Sequence, residues 1–166
     1  MNAYETILKR RSIRKFKDKM VSDLFLDKLM KAAMAAPSAR NSQPWKFYIV
    51  KNAEKRSELV KIFRDFNAPV MVVVAGDMSK LADNKTDFWV QDCAAATQNI
   101  LLTAEHLGLG TCWCGVYPKE PATKQVKEIL NLEEGIIPLS LIQLGYKDEE
   151  KEARTQYAKE RVVEIK

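Results

Sequence analysis

The sequence is poor in the residues that build several common catalytic and metal sites. Histidine occurs once, as His106, which excludes a histidine-rich metal site and argues against a Ser-His-Asp triad. The three cysteines do not form the C-x₂₋₄-C pairs that are typical of structural zinc sites. Neither G-x-G-x-x-G nor G-x-x-x-x-G-K-S/T occurs, so the Rossmann fingerprint and the P-loop are also excluded. The sequence therefore predicts no metal site and no catalytic triad.

Long apolar runs are missing as well. The longest run, 69–75, has the length of a strand and falls far short of the about 20 residues that span a bilayer. The chain begins in a polar, helix-like stretch without an apolar leader, and an odd number of cysteines fits a reducing compartment. These observations predict a cytoplasmic protein without a membrane partner.

Length and composition indicate one globular domain. The 166 residues are 46% apolar and 30% charged, which is ordinary for a fold with its own core, and no repeat or linker divides them. Predicted helices cover 2–10, 22–36, 52–66, 86–107 and 121–130, and predicted strands cover 46–51, 70–75, 111–116 and 136–144. This order predicts a single α+β or α/β domain over residues 1–166, with helices covering a small sheet.

Local signals refine several of these elements. Asn2, Ser22 and Asn52 are suited to cap the first three helices. The strand over 70–75 has no polar alternation and is predicted to be buried on both faces. Pro138 implies that the last strand lies at an edge of the sheet or has an irregular start.

The predicted helix over 86–107 is apolar around most of its circumference. Such a helix needs cover on every side, which a small domain seldom provides alone. Two interpretations follow: a central core helix in a monomer, or, as we favour, a helix at the centre of a homodimer, where consecutive alanines permit close approach. The apolar positions are Val90, Cys93, Ala94, Ala95, Ala96, Ile100, Leu101, Leu102, Ala104 and Leu107.

Positive charge is concentrated near the N-terminus. Net charge is +5, but seven of the eleven residues from Lys9 to Lys19 are basic. Such a cluster can neutralise nucleic-acid phosphates, bind a local anion, or form a solvated edge. Charges elsewhere are mixed, and no aromatic-rich strand is available to stack bases, so we favour a local anion site without nucleic acid.

A polar loop of small side chains and amides follows at Pro37–Trp45 (PSARNSQPW). It offers hydrogen bonds and flat contacts to a heterocycle, while the basic segment offers cations to a phosphate. Together they predict a nucleotide-like cofactor, and a flavin fits best. Simpler interpretations stay open: Arg10 and Arg11 can cap a helix, Asn41 can be an ordinary turn residue, and Trp45 can be core.

Two of the cysteines, Cys112 and Cys114, flank Trp113 on a predicted strand. A metal site shared with Cys93 and His106 is one interpretation. The spacing supplies no second ligand pair, so we predict that these cysteines pack in the core.

Four segments resemble the nitroreductase-like flavoproteins. Lys9–Phe16 (KRRSIRKF) is similar to the family's R-R-S-I/V-R-x-F/Y opening, and Ala36–Trp45 (APSARNSQPW) to its A-P-S-x-x-N-x-Q-P-W loop. Asp92–Gly110 is similar to the family's central helix, and Leu144–Tyr146 to the strand end before its C-terminal tail. The segments stand in the family's order from residue 4 to about residue 163.

The resemblance implies an α+β fold with a small mixed sheet flanked by helices, and a homodimer with FMN at the subunit interface. Arg10, Arg11 and Ser12 would face the phosphate, with Arg154 and Lys151 as basic residues of the tail. Arg14 would lie near the pyrimidine edge. The partner subunit would supply Pro37, Ser38, Ala39 and Asn41, with Gln43 supporting that loop. Trp113, Cys114 and Gly115 would line the isoalloxazine.

The activity that the resemblance implies is ping-pong hydride transfer. NADH or NADPH would reduce the flavin and leave, and a flat acceptor such as a nitroaromatic, quinone or activated alkene would then be reduced. No catalytic side chain is implied, because the flavin carries the reacting hydrogen. The segment 76–85 is short for the family, which predicts an open pocket. Alternatives are reductive dehalogenation or flavin fragmentation on the same fold, or a flavin- or nucleic-acid-binding protein without turnover.

Overall fold

The structure is a computed structural model that describes residues 2–64, 66–81, 88–152 and 156–166. Its helices are α1 (Ala3–Lys9), α2 (Asp23–Met34), α3 (Ala53–Ile62), α4 (Phe88–His106) and α5 (Glu120–Leu130). Its strands are β1 (Trp45–Val50), β2 (Val70–Asp77), β3 (Leu109–Gly115) and β4 (Ile136–Tyr146). None of the helices in these ranges combines the length and apolarity that a membrane span requires.

The four strands form one sheet in the order β1-β2-β4-β3. Every neighbouring pair of strands runs antiparallel. The predicted α+β class is confirmed. The expected mixed sheet is wrong, because all four strands pair antiparallel; the parallel bridge between Ser12 and Thr111 lies outside the sheet's strand pairs.

Alternation along β2 divides the core into two layers. Val70, Val72 and Val74 face α2 and α4, while Met71 and Val73 face α3 and α5. Because both faces are covered by helices, β2 needs no polar alternation, and the predicted burial of this strand on both faces is confirmed.

Side-chain caps set the start of the first three helices, as predicted. Asn2 accepts the N–H of Glu5 at 2.9 Å, Ser22 that of Phe25 at 3.3 Å, and Asn52 that of Lys55 at 2.9 Å. Each bond satisfies a backbone donor that the first turn of a helix leaves unpaired.

The predicted end of the third helix and the edge position considered for Pro138 were wrong. The third helix ends at Ile62 rather than at Phe66, because the Gln143 side chain binds this stretch instead. Its amide donates to the Arg64 carbonyl at 2.8 Å and its oxygen accepts the Phe66 N–H at 3.2 Å. The edge position considered for Pro138 is also wrong, because β4 is central. The irregularity is present as a register shift, with Val74 opposite Ser140 and Ala75 opposite Pro138.

Helix α4 crosses the sheet and is buried along one side. The predicted start at Thr86 lies outside the described residues. Its opposite face, which includes Ala94, Ala95, Leu102 and Thr103, stays only half-buried in one chain. The helix therefore keeps a partly uncovered face of small and apolar side chains.

Candidate functional site

The basic segment leaves α1 and lies directly on β3. The Arg10 N–H closes α1 by donating to the Thr6 carbonyl at 3.0 Å, and the Ile13 N–H donates to the Thr111 carbonyl at 2.9 Å. A Cβ at Gly110 would lie 2.8 Å from the Cβ of Ile13, so glycine permits this close approach. Ile13 is 2% exposed and anchors the segment in the core.

A cavity of about 290 Å³ opens beside this segment. Arg10, Arg11 and Ser12 line it, and no acidic side chain does so among the described residues. Backbone carbonyls orient Arg11: its Nε donates to Glu152 at 3.0 Å and its Nη1 to Leu8 at 2.7 Å. The other lining residues are Ile7, Leu8, Gln156 and Tyr157. The donor set suits a phosphate, because arginine and hydroxyl groups present several N–H and O–H donors to its oxygens.

A second cavity of about 440 Å³ adjoins Arg11 but has mixed charge. In its wall, Lys147 pairs with Glu105 at 2.7 Å and Lys151 pairs with Glu149 at 3.2 Å. These carboxylates offset the positive charge. The first cavity is therefore the better anion site.

Two of the remaining basic candidates, Lys151 and Arg14, do not line the first cavity. The Lys151 ammonium donates to the Ser12 carbonyl at 2.6 Å, so it binds the backbone of the basic segment. The Arg14 guanidinium lies 5.6 Å from the centre of the Phe66 ring, and its backbone N–H donates to Glu149. Arg154 lies outside the described residues.

The loop after α2 folds into a short 3₁₀ turn over Ala39–Asn41. Arg40, Asn41 and Gln43 have φ values of 52°, 55° and 47°, a left-handed conformation that is costly for residues other than glycine. The Gln43 amide donates to Asn41 Oδ1 at 2.9 Å, and the Gln43 N–H donates to Ser38 Oγ at 3.0 Å. Gln43 therefore makes two hydrogen bonds within the loop; its role in a cofactor site stays a prediction.

Asp92 is a site-associated residue that the sequence analysis missed. Its Oδ1 accepts the Ala39 N–H at 2.9 Å, which ties the loop to α4. The Ala39 carbonyl is also engaged, since it accepts the Ser42 N–H at 3.0 Å. One sequence feature could have identified Asp92: it is an acidic residue at the start of an apolar stretch of α4. A carboxylate is unfavourable in such a position unless it has a specific partner.

The end of β3 is open beside the basic segment. Thr111 pairs with Ser12, and Trp113, two residues further, is 38% exposed. Gly115 has no neighbouring atom within 4 Å of the position that a Cβ would take. The Cys114 side chain instead packs against the core cluster of α3 and α5. The strand end therefore offers Trp113 and backbone to a flat ligand.

The two strand cysteines affect each other. A hydrogen bond with Cys114, supported by the positive charges of Arg14 and Lys151, lowers the pKa of the Cys112 thiol. The same bond, together with burial, raises the pKa of Cys114. Cys112 therefore ionises first. Within the described ranges, no three His, Cys, Asp or Glu side chains are grouped to hold a metal ion.

The Cys112 thiol is expected to ionise at lower pH than an ordinary thiol, although it is only 5% exposed, whereas Cys93 stays protonated in the folded protein. Burial, followed by the charge of Asp92, raises the pKa of Cys93 to about 12. Because burial limits access of alkylating reagents to both thiols, thiolate absorbance in the ultraviolet across a pH series measures the Cys112 midpoint. Cys114→Ala should raise the Cys112 midpoint, because it removes the hydrogen bond. A Cys112 midpoint at or above the about 8.5 of free cysteine would contradict the assignment.

A cationic cavity, an amide-bearing loop with internal hydrogen bonds and an open strand end are the kinds of feature that suit a phosphorylated, flat ligand. The model of the nitroreductase family matches residues 7–69 and 60–146. The chain belongs to this family, and the family prediction is confirmed.

The names of related proteins support the prediction that this chain is an NAD(P)H-dependent flavin oxidoreductase. An Archaeoglobus fulgidus protein named NADH dehydrogenase/NAD(P)H nitroreductase is 45% identical over 150 residues, covering 88% of this chain and 86% of that protein. A solved Parabacteroides distasonis structure of the same name has a TM-score of 0.92 at 36% identity, covering 99% and 98% of the two chains. The FMN-dependent nitroreductase of Clostridium difficile has a TM-score of 0.86 at 34% identity, covering 96% of each chain.

Proposed function

We propose that the chain binds FMN and transfers electrons from NADH or NADPH to flat acceptors such as nitroaromatics and quinones. The observation that carries the proposal is the cavity of Arg10, Arg11 and Ser12, which has no acidic lining residue within the described part of the chain. At the end of β3, Trp113 is 38% exposed and no atom lies within 4 Å of a Gly115 Cβ, so this strand end is available to a ring system. The residues present therefore fit a flavin with a phosphate tail.

The proposed assembly is a homodimer in which two chains share each site. Asp92 contacts the loop, while Glu105 lines the second cavity, which shares Arg11 with the first cavity. The two residues are 105 minus 92, or 13, positions apart on α4. This separation corresponds to roughly 20 Å along a helix that rises about 1.5 Å per residue. The loop and the basic segment thus lie towards opposite ends of α4, and an antiparallel partner helix would bring one chain's loop to the other's cavity.

The protein's contribution is to bind and orient rather than to transfer protons. When bound, FMN supplies the hydride and electron chemistry that links the nicotinamide donor to the acceptor. Arg10 and Arg11 would hold the phosphate, and the Asn41 amide would present its N–H group to a ring edge while its oxygen accepts from Gln43. Trp113 would cover a flat ligand at the strand end.

An anaerobic visible-spectrum titration tests the proposal. The protein is loaded with FMN, and NADH or NADPH is added, followed by a nitroaromatic or a quinone. We expect the flavin band to bleach with at least one nucleotide and to recover with the acceptor. Bound flavin that neither nucleotide bleaches would contradict the oxidoreductase activity. Failure to bind FMN would contradict the cofactor assignment, and DNA or RNA binding at low salt would then be measured.

A further inference from the structure

The turn at Ala39–Asn41 is capped by a residue far away in sequence. Ser38 occupies the N-cap position but makes no side-chain cap bond, because its Oγ accepts the Gln43 N–H instead. The first N–H of the turn, that of Ala39, donates to the Asp92 carboxylate of α4 at 2.9 Å. A carboxylate that accepts a backbone N–H makes a charge-assisted bond, which is stronger than a neutral one.

Asp92 occupies a costly position. It is 6% exposed, and its second oxygen, Oδ2, is buried without a hydrogen-bond partner among the residues that the structure describes. A buried carboxylate with one unsatisfied oxygen lowers stability relative to an apolar side chain of similar size. Stability therefore does not explain why an acid stands here, and the bond to the loop is the specific interaction that the carboxylate makes.

We infer that Asp92 is the positioning residue that sets the flavin-contacting loop of Ser38–Gln43, acting through the Ala39 N–H. The inference rests on the proposed function and names the residue that fixes the loop's place. The left-handed conformations of Arg40, Asn41 and Gln43 persist only where the surroundings hold them. Asp92 holds the first residue of that turn to the most buried helix of the fold, so that the Asn41 amide is presented at a fixed place.

Two substitutions remove the bond from opposite sides. Asp92→Ala deletes the acceptor. Ala39→Pro deletes the donor without altering α4. Proline is compatible with the first position of the turn. Ser38 already has the extended conformation that a residue before proline adopts, with φ −139° and ψ 150°. We expect each to weaken FMN binding about 10- to 100-fold, the loss typical of one charge-assisted hydrogen bond. Flavin fluorescence quenching measures the dissociation constant.

Asp92→Asn and Asn99→Ala are the controls. Asparagine keeps an oxygen that accepts the Ala39 N–H, so FMN affinity should stay within about threefold of the wild type. Asn99→Ala removes another bond of α4, from the Asn99 amide to the Ala32 carbonyl at 2.9 Å, away from the loop. It should lower the melting temperature while leaving FMN affinity unchanged. Equal FMN affinity in wild type and both bond-deleting variants would overturn the inference, as would equal losses in Asp92→Asn or Asn99→Ala.

Trypsin cleavage after Arg40 separates this inference from the cofactor assignment. The assay uses the protein without FMN and compares the cut at Arg40 with one at Lys124 on α5. We expect Asp92→Ala and Ala39→Pro to be cut faster after Arg40, and Asp92→Asn to behave like the wild type. If wild type binds no FMN, the proposed function fails, but this comparison still decides whether Asp92 holds the loop. Unchanged cleavage in both bond-deleting variants would overturn the inference.

Discussion

Replacing both Arg10 and Arg11 with alanine is expected to weaken FMN binding by about 10²- to 10⁴-fold. Both arginines line the first cavity, and in the proposed site each would make a charge-assisted bond to the phosphate; such bonds contribute about 1.5–3 kcal/mol. Two of them correspond to roughly this change in dissociation constant. Equilibrium titration of the apoprotein with FMN, followed by fluorescence, measures the effect. Arg11 also binds the Leu8 and Glu152 carbonyls, so thermal denaturation must show that the variant folds.

The matched control is Lys15→Ala with Lys17→Ala. Both lysines are exposed, belong to the same basic segment and line neither cavity. The control removes two positive charges, as many as the double arginine variant does. FMN affinity should stay within about threefold of the wild type, because exposed charges at a distance are screened by salt. Equal losses in the two variants would show that general positive charge, rather than the cavity, binds the cofactor.

Replacing Ile13 with alanine should lower the free energy of unfolding by about 2–5 kcal/mol. The side chain is 2% exposed and packs with Phe16 and Ala68, so its truncation leaves a cavity. For a protein of this size the melting temperature should fall by roughly 4–20 °C. FMN affinity should fall too, because Ile13 holds the segment that carries Arg10 and Arg11. Calorimetry and FMN titration measure the two effects.

Ile49→Ala controls for the loss of an isoleucine side chain. Ile49 lies on edge strand β1 and is 39% exposed, so its truncation should change stability by no more than about 0.5–1 kcal/mol and leave FMN binding unchanged. An Ile13→Ala protein as stable as Ile49→Ala would contradict the anchoring role of Ile13. A destabilised Ile13→Ala protein with normal FMN affinity would show that the fold tolerates movement of the segment.

Features encoded within a few residues could be predicted from the sequence. The caps at Asn2, Ser22 and Asn52 depend on contacts three residues ahead, and the wholly apolar character of 70–75 reflects cover on both faces. The family prediction rested on several contiguous motifs and is confirmed by the family match. The individual roles of the site residues stay predictions.

Features that depend on distant partners could not be predicted. The third helix stops early because Gln143, far along the chain, binds the backbone at Arg64 and Phe66. The central place of Pro138 depends on strand order, which local pattern does not encode. Asp92 was grouped with the apolar helix that follows it, since only the folded chain shows the Ala39 N–H opposite its carboxylate.

The placement of the loop and the basic segment towards opposite ends of α4 has a genetic consequence. In the proposed homodimer, each cofactor site joins one chain's cavity to the other chain's loop. A chain damaged at Arg10 and Arg11 and a chain damaged at Asp92 would each form two defective sites when paired with themselves. Paired with each other, they would form one doubly defective site and one wholly intact site. Two inactive alleles could therefore complement one another.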